Sequence, residues 1–276
     1  MSIGTSRRGQ ARPFLKWAGG KYRILPRIQT LLPAGERLVE PFVGSAAVFL
    51  NTDFDHYLLG DTNRDLIGLY RTLQADGANF VDYCTSLFDA ANNSPAAYYQ
   101  LRDEFNHSRD VHHRSALFVY LNRHGYNGLC RYNSKGEFNV PFGRYKSPYF
   151  PAAEMLAFHH KAQRAEFRHD DFAHIIAEAR RGDVIYCDPP YVPLSRSANF
   201  TTYSAGGFDL EQQNMLAKLA CKSAARGIPV LVSNHNTRFT REAYRSAKLS
   251  KFKVQRFISC DALNRNTAGE LLALFT

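Results

Sequence analysis

Apolar positions along the chain fall into two regimes. In the first, short continuous apolar runs end in turn residues. Arg37-Leu38-Val39-Glu40 leads into Pro41-Phe42-Val43-Gly44, and Ser45-Ala46-Ala47-Val48 then opens a helix of small residues. Tyr57-Leu58-Leu59 predicts a second strand ending at Asp61. From about Asn63 to Asn122 the spacing turns helical, with Ala116-Leu117-Phe118-Val119-Tyr120-Leu121 as its most apolar piece and the centre of a small bundle. His124 to Phe150 is different again. Glycines at 125, 128, 136 and 143 alternate with Tyr, Asn and Arg, which predicts turns and a β-hairpin. Beyond Phe150 the first regime returns. It predicts helix Ala152–Ala162, strand Ala165–Arg168, strand Asp183–Cys187, helix Asp209–Arg226 and strand Ile228–Ser233. A helix near Arg241 and strands Phe252–Ile258 and Leu271–Phe275 follow.

Strands alternating with helices imply an α/β fold on a mostly parallel, doubly wound sheet. The helical and glycine-rich stretch reads as an insertion, so the expected division is 1–63 with 151–276 as one domain and 64–150 as an inserted second. The 276 residues, 45% of them hydrophobic, suffice for such a core. No apolar run reaches bilayer-spanning length, and the basic stretch Met1–Pro13 lacks the apolar region of a secretory signal. The five cysteines (Cys84, Cys130, Cys187, Cys221, Cys260) share no zinc-ligand or redox spacing and are expected as reduced thiols.

The net charge of +10 is concentrated. Arg7, Arg8, Arg12, Lys16, Lys21, Arg23 and Arg27 occur with no acid among them. Arg123, Arg131, Lys135, Arg144 and Lys146 face only Glu137, and the stretch 241–256 has six basic residues against Glu242. Such clusters point to a polyanion, nucleic acid before membrane.

The candidate chemistry sits at Asp188-Pro189-Pro190-Tyr191, directly after the apolar run Val184-Ile185-Tyr186-Cys187. Prolyl residues have no N–H, so this turn offers carbonyls its own backbone need not satisfy. The Asp188 carboxylate and a nearby carbonyl, that of Pro189, can accept both hydrogens of one amino group. An aromatic amine is a poor nucleophile because its lone pair is delocalised. Holding its hydrogens out of plane frees that pair, while Tyr191 can stack on the ring. The same four residues can also be an ordinary strand-to-loop turn.

Ligands of open α/β sheets bind beyond the carboxyl ends of strands. Gly44 permits close approach of a ligand to the backbone after Phe42, and Asp61 stands where an acid accepts hydrogen bonds from ribose hydroxyls. Together with Asp188 they outline a nucleoside-bearing cofactor. Gly19-Gly20-Lys21 lacks full P-loop spacing, which excludes nucleotide hydrolysis by that motif.

Phe14-Leu15-Lys16-Trp17-Ala18-Gly19-Gly20-Lys21, Glu40–Gly44, Asp61-Thr62-Asn63, Tyr126-Asn127-Gly128-Leu129-Cys130-Arg131-Tyr132-Asn133 and Asp188–Tyr191 occur in that order. The series resembles the Dam-type DNA adenine-N6 methyltransferases from about residue 12 onward. The resemblance implies a Rossmann-like class I methyltransferase sheet with an inserted helical and hairpin recognition domain. It implies S-adenosylmethionine as cofactor, no metal, and duplex DNA as partner, with adenine in GATC flipped out of the helix for methylation. It also implies a monomer, located in the cytoplasm with the nucleoid, whose mark serves replication, mismatch repair, gene control or restriction-modification. On this resemblance Asp188, Pro189, Pro190 and Tyr191 are catalytic, and Trp17, Lys21, Phe42, Gly44, Asp61 and Asp188 bind the cofactor. Lys16, Tyr126, Asn127, Leu129, Arg131, Asn139 and Pro141 meet DNA, most of them at bases, while Arg123 and Arg144 contact phosphates.

Two departures accompany the resemblance. The second glycine of the family's Phe-x-Gly-x-Gly turn is Ala46 here, expected to crowd the cofactor. The stretch Asp261–Gly269 lacks the basic cluster many relatives carry, expected to remove phosphate contacts. Two rival functions share these motifs: cytosine-N4 methylation, and DNA binding by a catalytically inactive relative. The small and polar segment Val192–Gly207 is expected to be mobile without DNA and ordered in the complex.

Overall fold

A computed structural model describes residues 9–192, 208–255 and 267–276. Arg7, Arg8, Cys260, nearly all of the Val192–Gly207 segment, most of Asp261–Gly269 and the end of the strand expected to reach Ile258 lie outside the described residues. In chain order the described residues form α1 (Leu25–Leu31), β1 (Arg37–Glu40), α2 (Ala47–Leu50), β2 (His56–Asp61), α3 (Arg64–Ser86), α4 (Pro95–His107), α5 (Val111–His124) and α6 (Ala152–Ala162). Then come β3 (Ala165–His169), α7 (Phe172–Ala177), β4 (Asp183–Cys187), α8 (Leu210–Ala225), β5 (Val230–His235), α9 (Arg238–Ala243), β6 (Lys248–Gln255) and β7 (Thr267–Phe275). The fold is mixed α/β, as the alternation predicts. The chain divides into two compact units: 1–26, 43–53 and 63–169 in one, 27–42, 54–62 and 170–276 in the other.

The second unit carries six strands in the order β2-β1-β4-β5-β7-β6. β2, β1, β4 and β5 are parallel, while β7 runs antiparallel to both β5 and β6. Every residue of β4 and β5 is buried, as expected of parallel strands covered on both faces. Val39, Ile185, Cys187, Val230 and Val232 share one apolar cluster with Ile175, Ile176, Leu216 and Ala220 of α7 and α8. The helices begin where side chains satisfy their first amides. Asp209 and Gln212 form a reciprocal cap on α8, Thr237 and Thr240 another on α9, and Asp171 caps α7. Arg37 grips Asp183 through Nε and Nη2 at 3.0 and 2.6 Å, tying the start of β1 to that of β4.

The first unit is a helical body with an aromatic core. Asn63, Ser94 and Asp110 cap α3, α4 and α5. α3 bends at Gly77 (φ +51°), where a Cβ would come within 2.8 Å of the His159 ring. Phe14 meets Tyr70 and Phe158 edge-on, and Phe105, Phe118 and Phe138 form a second aromatic group. The expected hairpin reduces to two isolated antiparallel bridges, Tyr132↔Phe138 and Gly125↔Phe142. Backbone bonds from Asn133 N to the Glu137 carbonyl at 2.9 Å and from Asn139 N to the Arg131 carbonyl at 3.1 Å join its arms, and side chains add to them. Asn133 Oδ1 accepts from the amides of Lys135 and Glu137, and Tyr132 donates to Asp65, itself bound by Arg114.

Candidate functional site

The Asp188–Tyr191 turn leaves β4 where the parallel register with β5 pairs Cys187 with Val232. One step further, Ser233 stands beside Asp188 and its hydroxyl donates to Oδ1 at 2.9 Å. Tyr186 donates in turn to the Ser233 hydroxyl at 3.2 Å. Alternation along a strand sends neighbouring side chains to opposite faces, so Ser233-Asn234-His235 reaches both sides of the turn. On the face of Ser233, His235 Nδ1 donates to the Val192 carbonyl at 2.7 Å, and the His235 ring meets Tyr191 edge-on with centroids 4.6 Å apart. On the face of α8, Asn234 Oδ1 accepts the Val192 amide at 3.1 Å, and Asn234 Nδ2 donates to Gln213 Oε1 at 3.0 Å. Gln213 Nε2 closes the circuit on the Pro190 carbonyl at 2.7 Å. Tyr244 joins the same amide pair. Ser233, Asn234 and Gln213 are all but inaccessible to solvent, a position buried polar groups occupy at low cost only when hydrogen-bonded.

Asp188 and Tyr191 are partly exposed, Pro189 is buried and Pro190 is exposed. Burial, then the neighbouring Asp188 carboxylate, raises the Tyr191 and Tyr186 phenols well above their usual range, so both remain neutral. Phe42 and Asp61 follow β1 and end β2 in the same unit. β1 lies between β2 and β4, the point where strand order reverses and open sheets bind ligands. Phe42 stacks on Phe172 at 5.3 Å, and the Asp61 carbonyl accepts from Asp170 N.

The other sequence-derived cofactor residues belong to the first unit. Gly44 (φ +46°) lies against Trp17: a Cβ there would fall 3.0 Å from the indole Nε1. Ala46 adopts the left-handed conformation at φ +61°, ψ +29°, fully buried at the start of α2. The position thus has the backbone that glycine adopts without strain, filled by alanine. Lys21 is buried, with Nζ on the Gly19 carbonyl at 2.6 Å.

Several of the residues singled out for DNA are brought together in the first unit. Asn122, buried at the end of α5, accepts the Lys16 amide at 2.9 Å and donates to the Lys16 carbonyl at 2.8 Å and the Gly128 carbonyl at 3.3 Å. Gly128 (φ +62°) packs on Lys16 so closely that a Cβ would lie 2.6 Å from its Cδ. The Lys16 ammonium sits 4.0 Å from the Tyr145 ring centroid, and the Tyr145 hydroxyl accepts the Asn127 amide at 3.0 Å. Burial first, then Arg123, lowers the Lys16 ammonium pKa. Tyr126 is exposed, with its amide on the Pro141 carbonyl, and Leu129 is half-buried. Arg131 Nε donates to Asn139 Oδ1 at 2.7 Å and Nη2 to the Asn139 carbonyl at 3.2 Å, so these two residues form one exposed pair. Arg144 is exposed at φ +54°. Arg123 differs from them: it is 8% exposed and its Nη2 donates to the Phe14 carbonyl.

Sequence reasoning passed over Ser233, Asn234, Gln213, Asn122 and Tyr145. The signal available for the first pair was a polar Ser-Asn-His triplet ending the apolar run Val230-Leu231-Val232. For Asn122 it was an amide at the close of a six-residue apolar stretch. Among the described residues no group of three or more His, Cys, Asp or Glu could hold a metal ion.

Residues 17–258 match the family described as D12 class N6 adenine-specific DNA methyltransferase. A protein named DNA adenine methylase from Escherichia coli strain K12 is 54% identical over 264 residues, spanning 96% of this chain and 95% of the relative. Proteins of the same name from Vibrio cholerae (strain ATCC 39541) and Serratia marcescens are 52% and 50% identical, each over 96% of this chain and over 96% and 98% of the relative.

Proposed function

The chain belongs to the D12 class of N6 adenine-specific DNA methyltransferases, and from that premise we propose that it methylates adenine N6 within GATC of duplex DNA, with S-adenosylmethionine as donor and the target base flipped out. Methylation of adenine in DNA is the reaction of the family itself. The donor, the duplex, the site and the flipping are our reading.

One observation carries it: the Asp188–Tyr191 turn leaves β4 beside the strand-order reversal and is hydrogen-bonded from both faces of the sheet. A turn held in this way presents its acceptors in fixed positions, and catalysis by positioning demands that. Asp188 accepts a hydrogen of the target amine. Gln213 already engages the Pro190 carbonyl, which favours the Pro189 carbonyl as second acceptor. Tyr191 supplies the ring face on which the base rests. When bound, S-adenosylmethionine contributes a methyl group already activated on a sulfonium. We assign its binding to Phe42, Asp61 and Asp188, and by resemblance also to Trp17, Lys21 and Gly44.

In this reading Lys16, Tyr126, Asn127, Leu129, Pro141 and the Arg131–Asn139 pair meet DNA, and the 64–150 segment is the recognition domain. GATC follows from the Dam-type resemblance of Tyr126–Asn133. Arg131 reads a guanine edge with the guanidinium hydrogens that Asn139 leaves available. Arg144, exposed, contacts phosphate. The burial of Arg123 on the Phe14 carbonyl favours a part in holding the Phe14–Lys16 segment over the phosphate contact expected from sequence.

The test is incubation with duplexes that contain or lack GATC and a methyl-labelled donor, followed by identification of the modified base. N6-methyladenine confined to GATC is expected. N4-methylcytosine, or DNA binding without incorporation, would establish one of the two rivals.

A further inference from the structure

We propose that Ser233 is a positioning residue for methyl transfer: its hydroxyl, oriented by Tyr186, fixes the Asp188 carboxylate in the rotamer that accepts the target amine. The inference rests on the reading of Asp188 given above and extends it to residues outside the Asp-Pro-Pro-Tyr motif.

An aspartate side chain has a broad, roughly two-fold terminal torsion. Left alone, a partly exposed carboxylate would sample it, and each oxygen would point at the amine only part of the time. Ser233 restricts that freedom at Oδ1. The parallel register of β4 with β5 places it one step beyond the Cys187↔Val232 pair, level with Asp188, and its backbone belongs to a strand buried throughout. A serine hydroxyl has one proton to give. Asp188 Oδ1 lies at 2.9 Å from the Ser233 hydroxyl and the Cys187 carbonyl at 3.4 Å. The shorter contact to a charged acceptor is the stronger by both distance and charge. Tyr186 then settles the direction of the chain. Its hydroxyl donates to the Ser233 oxygen at 3.2 Å, occupying a lone pair and leaving the serine proton to the carboxylate. Tyr186 is itself 2% exposed and on a strand, so both donors are held by sheet backbone. The order Tyr186, Ser233, Asp188 therefore transmits the rigidity of the sheet to one carboxylate oxygen.

The experiment compares wild type with Ser233→Ala, Ser233→Thr, Tyr186→Phe and Asp188→Ala. It measures single-turnover methylation of a GATC duplex, equilibrium binding of S-adenosylmethionine and of DNA, and the thermal unfolding midpoint. Loss of a hydrogen bond to a charged group predicts that Ser233→Ala slows single turnover about tenfold to a hundredfold, with both binding constants within about twofold of wild type and KM nearly unchanged. Ser233→Thr, which keeps the hydroxyl, restores the rate to within a few fold. Tyr186→Phe gives a smaller loss of the same kind. The inference is overturned if Ser233→Ala turns over at the wild-type rate, if its rate loss is matched by lost cofactor affinity or a lowered midpoint, or if threonine is no better than alanine. Near-normal turnover by Asp188→Ala would instead overturn the reading of Asp188. An inactive Asp188→Ala beside a fully active Ser233→Ala would overturn the positioning role alone.

Discussion

Replacing Gly128 with alanine tests how the Tyr126–Leu129 turn is held against Lys16, both proposed above to meet DNA. At φ +62° a Cβ costs about 1–2 kcal/mol through its own backbone. The new methyl would also overlap Lys16 at Cβ and approach its Cδ to 2.6 Å and its Cγ to 3.0 Å. Lys16 has little room to retreat, because Asn122 holds its amide and carbonyl at 2.9 and 2.8 Å. Overpacking of this kind costs a further 1–3 kcal/mol, roughly. The expected total is about 2–5 kcal/mol, divided between lost stability and displacement of Lys16 from the Tyr145 ring, 4.0 Å away. Urea unfolding of the helical unit should record the first part. Binding to GATC and to a panel of single-substitution sites should record the second, as about a tenfold fall in discrimination. The decisive comparison is the double variant. In a Lys16→Gly background the overlap is gone, and the cost of Gly128→Ala should shrink to the backbone part, about 1–2 kcal/mol. An equal cost in both backgrounds would mean that the contact with Lys16 does not hold this loop.

Other expectations are independent of this one. Asp188→Ala should abolish labelled methyl incorporation while DNA affinity in a filter or anisotropy assay stays near wild type, and near-normal turnover would sink the mechanism. Arg131→Ala should cost about 1–3 kcal/mol of discrimination at one guanine position, whereas Arg144→Ala should weaken all sites alike and flatten the salt dependence; uniform weakening by Arg131→Ala would make it a phosphate ligand. Burial holds His124 down to about 4, against an ordinary value of 6.5. The unfolded chain therefore takes up a proton that the folded one refuses. His124 costs nothing above about pH 6.5, and stability falls as pH drops from there toward about 4, by roughly 2 kcal/mol at pH 5. Urea midpoints at pH 7 and pH 5 should converge in His124→Phe, and an unchanged difference would exclude His124 as the titrating group.

Legibility in the sequence followed the kind of force involved. β1, β4 and α6 have the predicted limits because continuous apolar runs and flanking turn residues define them. α7 was missed: six residues behind an Asp cap are too few to display a period. β6 begins at Lys248, four residues before the expected start, because the lysines of a sheet-edge strand hide it from an apolar criterion. β5 extends through Asn234 and His235, polar residues that a strand keeps buried only because α8 and the Asp188–Val192 segment supply their partners. Those partners are distant in sequence, so the clamp on Asp188 could not be read from either segment alone. Likewise the hairpin was visible in its glycines, but its cohesion through Asn133 and the Arg131–Asn139 pair was not.

The grip on the Asp188–Tyr191 turn depends on parity. Ser233, Asn234 and His235 work as opposed jaws only because consecutive strand residues face opposite ways. A one-residue change within β5 would leave an equally apolar strand, able to pair with β4, yet turn the jaws over: a deletion would bring the Asn234 amide to the carboxylate, and an insertion would bring the Ser233 hydroxyl to Gln213. Length changes by two would preserve the facing but move the jaws a full pleat along the turn. The spacing between the start of β5 and this triplet is therefore a constraint as strict as the motif it serves. A search for enzymes of this construction could use that fixed count alongside the Asp-Pro-Pro-Tyr letters themselves.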